Sequence, residues 1–375
     1  MRRIEEFRHV WQVRWNRRCG PITPHKIMDR LDGPPGVPAA SAQASGIFVP
    51  LSLATTLATY LLITVGGLVR AAGAGLGCPD WPHCFGSYIP PLDASDLPPG
   101  FDASQFNVIN TWLEYVNRLL GVTIGFLIFA TLLAAWRRPR VAEGDSAGVS
   151  RRRDGHVIWP TTLAFLLVGF QGWLGGKVVT EKLDPTILTV HLIVALVIVG
   201  LLLHAHLWAR WRAGSRMGLS APREGVSGFL ERGTVEWLVR LGWLVGLLVL
   251  AQAALGTRVR GVLQAIEKAG VPRTDWLPLG WWPDLAHRQL AVIVVLTSAG
   301  LVYAVHRLAP RHRALARWAR RVLGLAVLQV AAGLGMAYGN VPRALQVTHL
   351  TLSSLLIGVL SVFLFVCYAE RADPR

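Results

Sequence analysis

Eight apolar stretches run through the chain, at about residues 50–69, 118–136, 159–179, 188–208, 238–257, 286–306, 319–338 and 346–368. Each is roughly 20 residues long, the length at which an α-helix crosses the hydrocarbon of a bilayer. Inside hydrocarbon every backbone N–H and C=O needs a partner within the chain, and a helix supplies them all locally. The stretches therefore predict an all-α polytopic membrane protein with eight transmembrane helices and a lipid bilayer as its first partner. Of the 375 residues, 52% are hydrophobic and 16% charged, more apolar sequence than a soluble domain of this length needs.

The net charge of +16 would suggest nucleic acid in a soluble chain, but its distribution excludes that partner. Arginines crowd the N-terminal tail and the connections 137–153, 209–232 and 307–321, while the first connection after residue 70 carries Asp80, Asp93, Asp96 and Asp102. By the positive-inside bias the even-numbered connections and both termini are cytoplasmic. Residues 1–46 read as a basic extension without a signal-peptide core. In it Ile4, Phe7, Trp11 and Trp15 share one helical face, as a membrane-surface helix would, and 31–46 has the composition of a disordered tail.

The second half of the chain repeats the first. Gln171 and His191 recur as Gln329 and His349, each pair separated by 158 residues, and Gly66-Gly-Leu-Val-Arg70 recurs as Gly256-Thr-Arg-Val-Arg260. Glu114-Tyr-Val-Asn117-Arg118 recurs as Asp284-Leu-Ala-His287-Arg288. Each copy has four spans and starts on the same side, so the expected architecture is two pseudo-symmetric four-helix bundles. The boundaries are an N-terminal half at 47–210, a linker at 211–237, a C-terminal half at 238–368 and a tail at 369–375. The glycines at 73, 75 and 77 follow a membrane helix and lack the βαβ context of a dinucleotide site.

Asn117, His191, His287 and His349 each stand near the outer end of an even-numbered span. Two helices packed side by side would present two such side chains to the space between them, as in bundles that ligate haem iron through paired histidines. A single membrane histidine is as readily an interfacial residue, and His204, His206 and His306, which lack a repeat pattern, are read that way. Arg70, Arg118, Arg260 and Arg288 flank the same outer ends. They either terminate helices at the interface or pair with haem propionates, whose carboxylates suit the guanidinium. Cys78 and Cys84 lie in the first outer loop. They form a disulfide, as an oxidising compartment favours, or a metal site with Asp80 and His83.

These motifs, with Cys78-Pro-Asp-Trp-Pro-His-Cys84 the most specific of them, resemble the haem A synthase family over about residues 50–368. The resemblance implies a permanent haem b on His287 and His349 with Arg260 and Arg288 nearby, in a bacterial cytoplasmic membrane. It implies a substrate side in the N-terminal half, where haem O binds at His191, Arg70 and Arg118 and its C8 methyl group becomes a formyl group. Glu114 and the outer cysteines are linked to that activity, and haem O synthase, an electron acceptor and further copies of the chain are the implied partners.

One position departs from the family pattern, which has histidine where this chain has Asn117. An amide is a poor iron ligand. Either His191 alone holds the substrate and the open side admits oxidant or water, with Asn117 and Glu114 handling hydrogen bonds and protons, or the half has lost substrate binding and the protein is a haem-b-carrying electron-transfer relative. A transporter, the third class suggested by repeats, would place its polar site at mid-membrane.

Overall fold

The computed structural model describes residues 46–139, 141–143, 150–213, 230–272, 275, 281–339 and 341–372, so the surface helix expected within the tail lies outside the described residues. Among the described residues, eight helices are long and apolar enough to cross a membrane. They are α1 Phe48–Ala72, α2 Val108–Trp136, α3 Gly155–Thr180, α4 Pro185–Arg212, α5 Arg232–Lys268, α6 Trp281–Leu308, α7 Arg313–Tyr338 and α8 Arg343–Ala372. The chain is an integral, multi-pass membrane protein. A two-stranded antiparallel hairpin, β1 Val141–Glu143 with β2 Ser150–Arg152, is a small β addition in the connection between α2 and α3.

Local chemistry explains where the helices start and stop. Asn107 caps α2 by accepting from the Asn110 N–H at 3.0 Å, so the helix begins at Val108, well before the apolar run expected at 118. That extra length carries Glu114 and Asn117. Asp184 caps α4 by accepting from the N–H groups of Thr186 and Ile187, with Pro185 preset at the first helical position. Those bonds, led by that from Ile187, hold the Asp184 carboxyl below the ordinary carboxylate range. At the far end of α1, Gly73 takes φ 76°, the left-handed conformation that lets its N–H reach back to the Arg70 carbonyl. The fifth span, expected at 238–257, sits inside a helix that continues to Lys268, because the amphipathic turn with Leu263 and Ile266 extends it.

Contacts close the helices into two rings. In the first, α1 packs on α2, α2 on α3, α3 on α4 and α4 back on α1; the second runs α5, α6, α7, α8 in the same way. The rings meet through α1 on α8, α5 on α4, and α4 on α8. Exchanging the two halves maps the first two contacts onto each other and leaves the third in place, which puts α4 and α8 at a pseudo-twofold axis. Hydroxyls link the rings on both sides of it, Thr64 to Thr351 at 3.2 Å and Thr189 to Thr257.

The apolar core is strongly polarised along the helices. In the C-terminal ring it is built by Leu238, Val245, Leu301, Leu315, Val322, Leu356 and Phe363, all 3% exposed or less, and Ile128, Ile198 and Leu202 play the same part in the N-terminal ring. Nothing is buried along 250–268, 284–293, 333–339 or 341–352 among the described residues, nor along 115–123, 165–173 or 185–195. The C-terminal ring is therefore tightly packed at the arginine-rich end and loosely filled at the other. In the N-terminal ring the loosely filled band lies between the core and the residues beneath the first loop, where Val69, Glu114, Leu174 and Val179 are buried.

Gly242 shows how closely the packed end fits, since a Cβ there would lie 2.7 Å from Leu364 Cδ2 and 3.3 Å from Phe363 Cε1. Gly242→Val should cost about 1–3 kcal/mol through overpacking. It should lower the thermal midpoint of the purified protein in detergent, followed by tryptophan fluorescence. An unchanged midpoint would mean that α5 and α8 are less tightly fitted than this.

Candidate haem-binding site

The repeat-related residues gather at the loosely filled end. His287 on α6 and His349 on α8 face each other across the C-terminal ring, their ring centroids 6.4 Å apart and their planes inclined by 57°. The Nδ1 atoms of both rings are inaccessible to solvent and have no hydrogen-bond partner. His206, at the packed end, differs: it is 4% exposed, and its Nδ1 lies 2.9 Å from Ser52 Oγ. A partnered histidine needs nothing more, whereas His287 and His349 have ring nitrogens still to satisfy.

Glycines and glutamines frame each ligand. A Cβ at Gly256 would approach His287 Cε1 to 3.1 Å, and one at Gly333 would meet His349 Cε1 at 3.5 Å. The Gln252 amide donates to the His287 carbonyl at 2.9 Å, and its Nε2 lies 3.3 Å from the ring Nε2. Gln171 donates to the His191 carbonyl in the same way at 2.9 Å. The Oε1 atoms of Gln171, Gln252 and Gln329 are buried without a partner. Gln252 was not singled out from the sequence, although a glutamine one turn before Gly256 inside an apolar run is a visible signal.

The structure places Asn117 where the repeat puts it. Gly66 stands beside Asn117 as Gly256 stands beside His287, with a Cβ at 66 lying 3.7 Å from Asn117 Oδ1. Asn117 Oδ1 and His191 Nδ1 are both buried and unpartnered. At this corner Leu62 occupies the place of Gln252, so both the ligand and its glutamine differ from the other half.

Two arginines pair with the acid one turn before them. Arg118 binds Glu114 at 2.6 Å and Arg288 binds Asp284 at 2.7 Å. The N-terminal pair is buried, with side chains 10% and 6% exposed, while Arg288 is 44% exposed at the rim. Arg118 also donates to the carbonyls of Cys78, Asp80 and His83 at 2.8–3.2 Å, and its guanidinium lies 5.0 Å from the centroid of the Trp81 ring. The other Glu114 oxygen accepts from the Cys78 N–H at 2.9 Å. Arg118, expected to meet a haem carboxylate, thus has four hydrogen bonds to the loop and to Glu114.

That loop is a folded cap. Cys78 and Cys84 are disulfide-bonded with Cα atoms 4.7 Å apart, and both are buried. The metal alternative falls away with that bond, and the Asp80 carboxylate accepts instead from the N–H groups of Phe85 and Gly86. Phe85 is held edge-on by Phe101 and Phe106. Gly77 leaves its Cβ position to the backbone of Asn110, and Trp81 lies where a Cβ at Gly176 would be, 2.7 Å from its Cδ1. The cap is therefore fixed to α2 and α3 of the N-terminal ring.

A haem fits the C-terminal pair. Two imidazoles on opposite sides of one metal, each bonded at about 2 Å, stand with centroids roughly 6 Å apart, close to the spacing seen here. The unpartnered ring nitrogens and the small residues beside them suit axial ligation and a flat ring between the helices. A separate groove of about 570 Å³ between α5 and α6, lined by Trp237, Leu296, Gly300 and Tyr303, contains none of these ligands.

Burial of the Glu114–Arg118 pair makes it far more sensitive than its counterpart. Arg118→Gln should cost about 3–5 kcal/mol, because a buried carboxylate loses its partner. Arg288→Gln should cost less than about 1 kcal/mol. Thermal denaturation and the rate at which a reductant opens the Cys78–Cys84 bond should change clearly in the first variant and little in the second.

The chain is 25% identical over 353 residues to a haem A synthase of Shewanella oneidensis, covering 86% of this chain and 97% of that one. It is 28% identical over 350 residues to a haem A synthase of Methylorubrum extorquens, with 84% of each covered, and 27% identical to one of Rhodopseudomonas palustris, with 84% and 88% covered. The profile of the cytochrome oxidase assembly proteins, COX15-CtaA, matches residues 50–361. This chain belongs to that family.

Proposed function

We propose that the loop end of the N-terminal ring binds haem O and oxidises its C8 methyl group to a formyl group, while His287 and His349 hold a resident haem b. The observation that carries this reading is the difference between two equivalent corners, a matched histidine pair in one ring and an Asn117/His191 pair in the other. A site that keeps its cofactor benefits from two imidazole ligands, whereas a site that performs chemistry needs one side open. When bound, haem b supplies one-electron transfer.

The chain's own groups divide the remaining work. Gln252 anchors the turn that carries His287, and Gln171 does the same for His191. Asn117 Oδ1, buried and unpartnered, would accept a hydrogen bond from a water molecule at this corner. Converting methyl to formyl with water as the oxygen source releases four protons and four electrons, so an acceptor for each is required. Glu114 lies about one turn before Asn117 on the same helix. Taking up a proton would weaken its bond to Arg118, which couples proton release to the cap. Arg118 positions that cap, Arg288 sits at the open rim, and Arg70 and Arg260 would meet the haem carboxylates. The capped end is the outer side, the arginine-rich end faces the cytoplasm, and the membrane is the bacterial cytoplasmic membrane. Haem O synthase supplies the substrate.

A second reading rests on Asn117 and Leu62 together. The loss of ligand and glutamine from one corner also describes a haem-b protein that no longer oxidises haem O.

Haem extraction from membranes expressing the chain beside a haem O source separates the two. Wild type should yield haem A and haem b, His191→Ala should lose haem A and keep haem b, and His349→Ala should lose haem b. Wild type that retains haem b but makes haem A only after Asn117→His would establish the second reading. Purified protein without any haem would end both.

A further inference from the structure

The groove between α5 and α6 belongs to neither histidine corner, and its two ends differ in chemistry. Along α6 its floor is Ile293, Leu296, Gly300 and Tyr303, which recur every three or four residues and so share one helical face. Leu296 and Tyr303 are each 65% exposed, so this face looks away from the core and toward the bilayer. Thr297 leaves the floor apolar, because its hydroxyl donates to the Ile293 carbonyl at 2.7 Å. Trp237 and Leu241, one turn apart on α5, form the facing wall. Toward the arginine-rich connection the lining ends in Arg307. Its guanidinium lies 5.9 Å from the centroid of the Tyr303 ring, and it makes no ion pair among the described residues.

The groove has the depth of one leaflet. From Ile293 to Arg307, α6 rises about 21 Å at 1.5 Å per residue. Half of a bilayer, with its headgroup layer, is about 20–22 Å thick. The groove is therefore apolar at the depth of the acyl chains and cationic at the depth of the headgroups, where tryptophans such as Trp237 also settle. Gly300 keeps it open, since a Cβ there would meet nothing within 4 Å. An apolar channel with a cation at its water end complements an amphiphile of opposite charge. The adjoining connection adds Arg311 and Arg313, which favour an anionic surface. We infer that the α5–α6 groove binds one anionic phospholipid of the leaflet on the arginine-rich side. One acyl chain lies along residues 293–303, and the phosphate meets Arg307, whose planar fork matches phosphate oxygens. A zwitterionic lipid gains less, because its headgroup carries its own cation.

The test uses the full chain, stripped of co-purified lipid in detergent and given dioleoyl phosphatidylglycerol or dioleoyl phosphatidylcholine. Native mass spectrometry counts the bound lipids. Phosphatidylglycerol should bind as one tight adduct, about fivefold or more tighter than phosphatidylcholine, the scale of one arginine at a membrane surface. Arg307→Gln should abolish that preference, and Arg311→Gln, outside the groove lining, should keep it. Gly300→Leu places a side chain where the acyl chain would lie and should weaken binding of both lipids. Phosphatidylglycerol with a diazirine in its acyl chain should crosslink within residues 293–307 of the unaltered chain.

Equal binding of the two lipids, or equal losses in Arg307→Gln and Arg311→Gln, would overturn the site. Crosslinks confined to other helices would do so as well, and that reading needs no variant to fold. A Gly300→Leu protein that turns from dimer to monomer with its lipid binding intact would also overturn it, and would assign the groove to a second copy of the chain.

Discussion

Large side chains close each helical ring at the arginine-rich end, and the candidate site exists because that packing stops short of the histidines. Phe363, Leu315, Leu301 and Leu238 fix the C-terminal helices at the arginine-rich end, and Ile128, Ile198 and Leu202 fix those of the N-terminal ring. In a lipid environment this packing is held by close van der Waals contact rather than by exclusion of water. It sets the helix directions, so the unfilled ends stand at defined separations and can offer polar side chains to a guest without collapsing. Replacing that core with small residues would let the far ends drift, and the 6.4 Å spacing of His287 and His349 would go with them.

The two rings share a plan and differ in what they add to it. In the C-terminal ring, ligand, glutamine and glycine are all present as His287, Gln252 and Gly256. The matching corner of the N-terminal ring keeps the glycine and replaces the others with Asn117 and Leu62. It gains a folded cap in exchange, held by the buried Glu114–Arg118 pair, where the equivalent Asp284–Arg288 pair stays at the rim. A corner with two facing imidazoles suits a cofactor that stays. A capped corner with one imidazole and an unpartnered amide oxygen suits a guest that changes.

Much of this was legible in the chain itself, and the exceptions have a common cause. Span number, the repeat and the histidine positions follow from local hydropathy and from residue spacing, which is why they carry over to the structure. Helix ends were less legible: α2 begins at Val108 and α5 reaches Lys268, because an Asn107 cap and an amphipathic turn extend helices beyond their apolar runs. Arg118 was expected at a carboxylate of the guest, yet it binds Glu114 and three carbonyls of the cap. The sequence spacing placed the acid on its own helical face, but not the carbonyls, which come from residues more than thirty positions away.

By itself, then, the sequence determined that the chain is a duplicated membrane bundle with histidines at three of four equivalent corners. Those properties depend on the length and periodicity of short segments, which each helix expresses on its own. Only the tertiary structure decided which arginine–acid pair is buried under the cap and which stays at the rim. It also decided that Gln252 supports His287, and that the first loop is a cap on the N-terminal ring. Such pairings depend on distances between helices remote in sequence, and those distances are set by how the whole core packs.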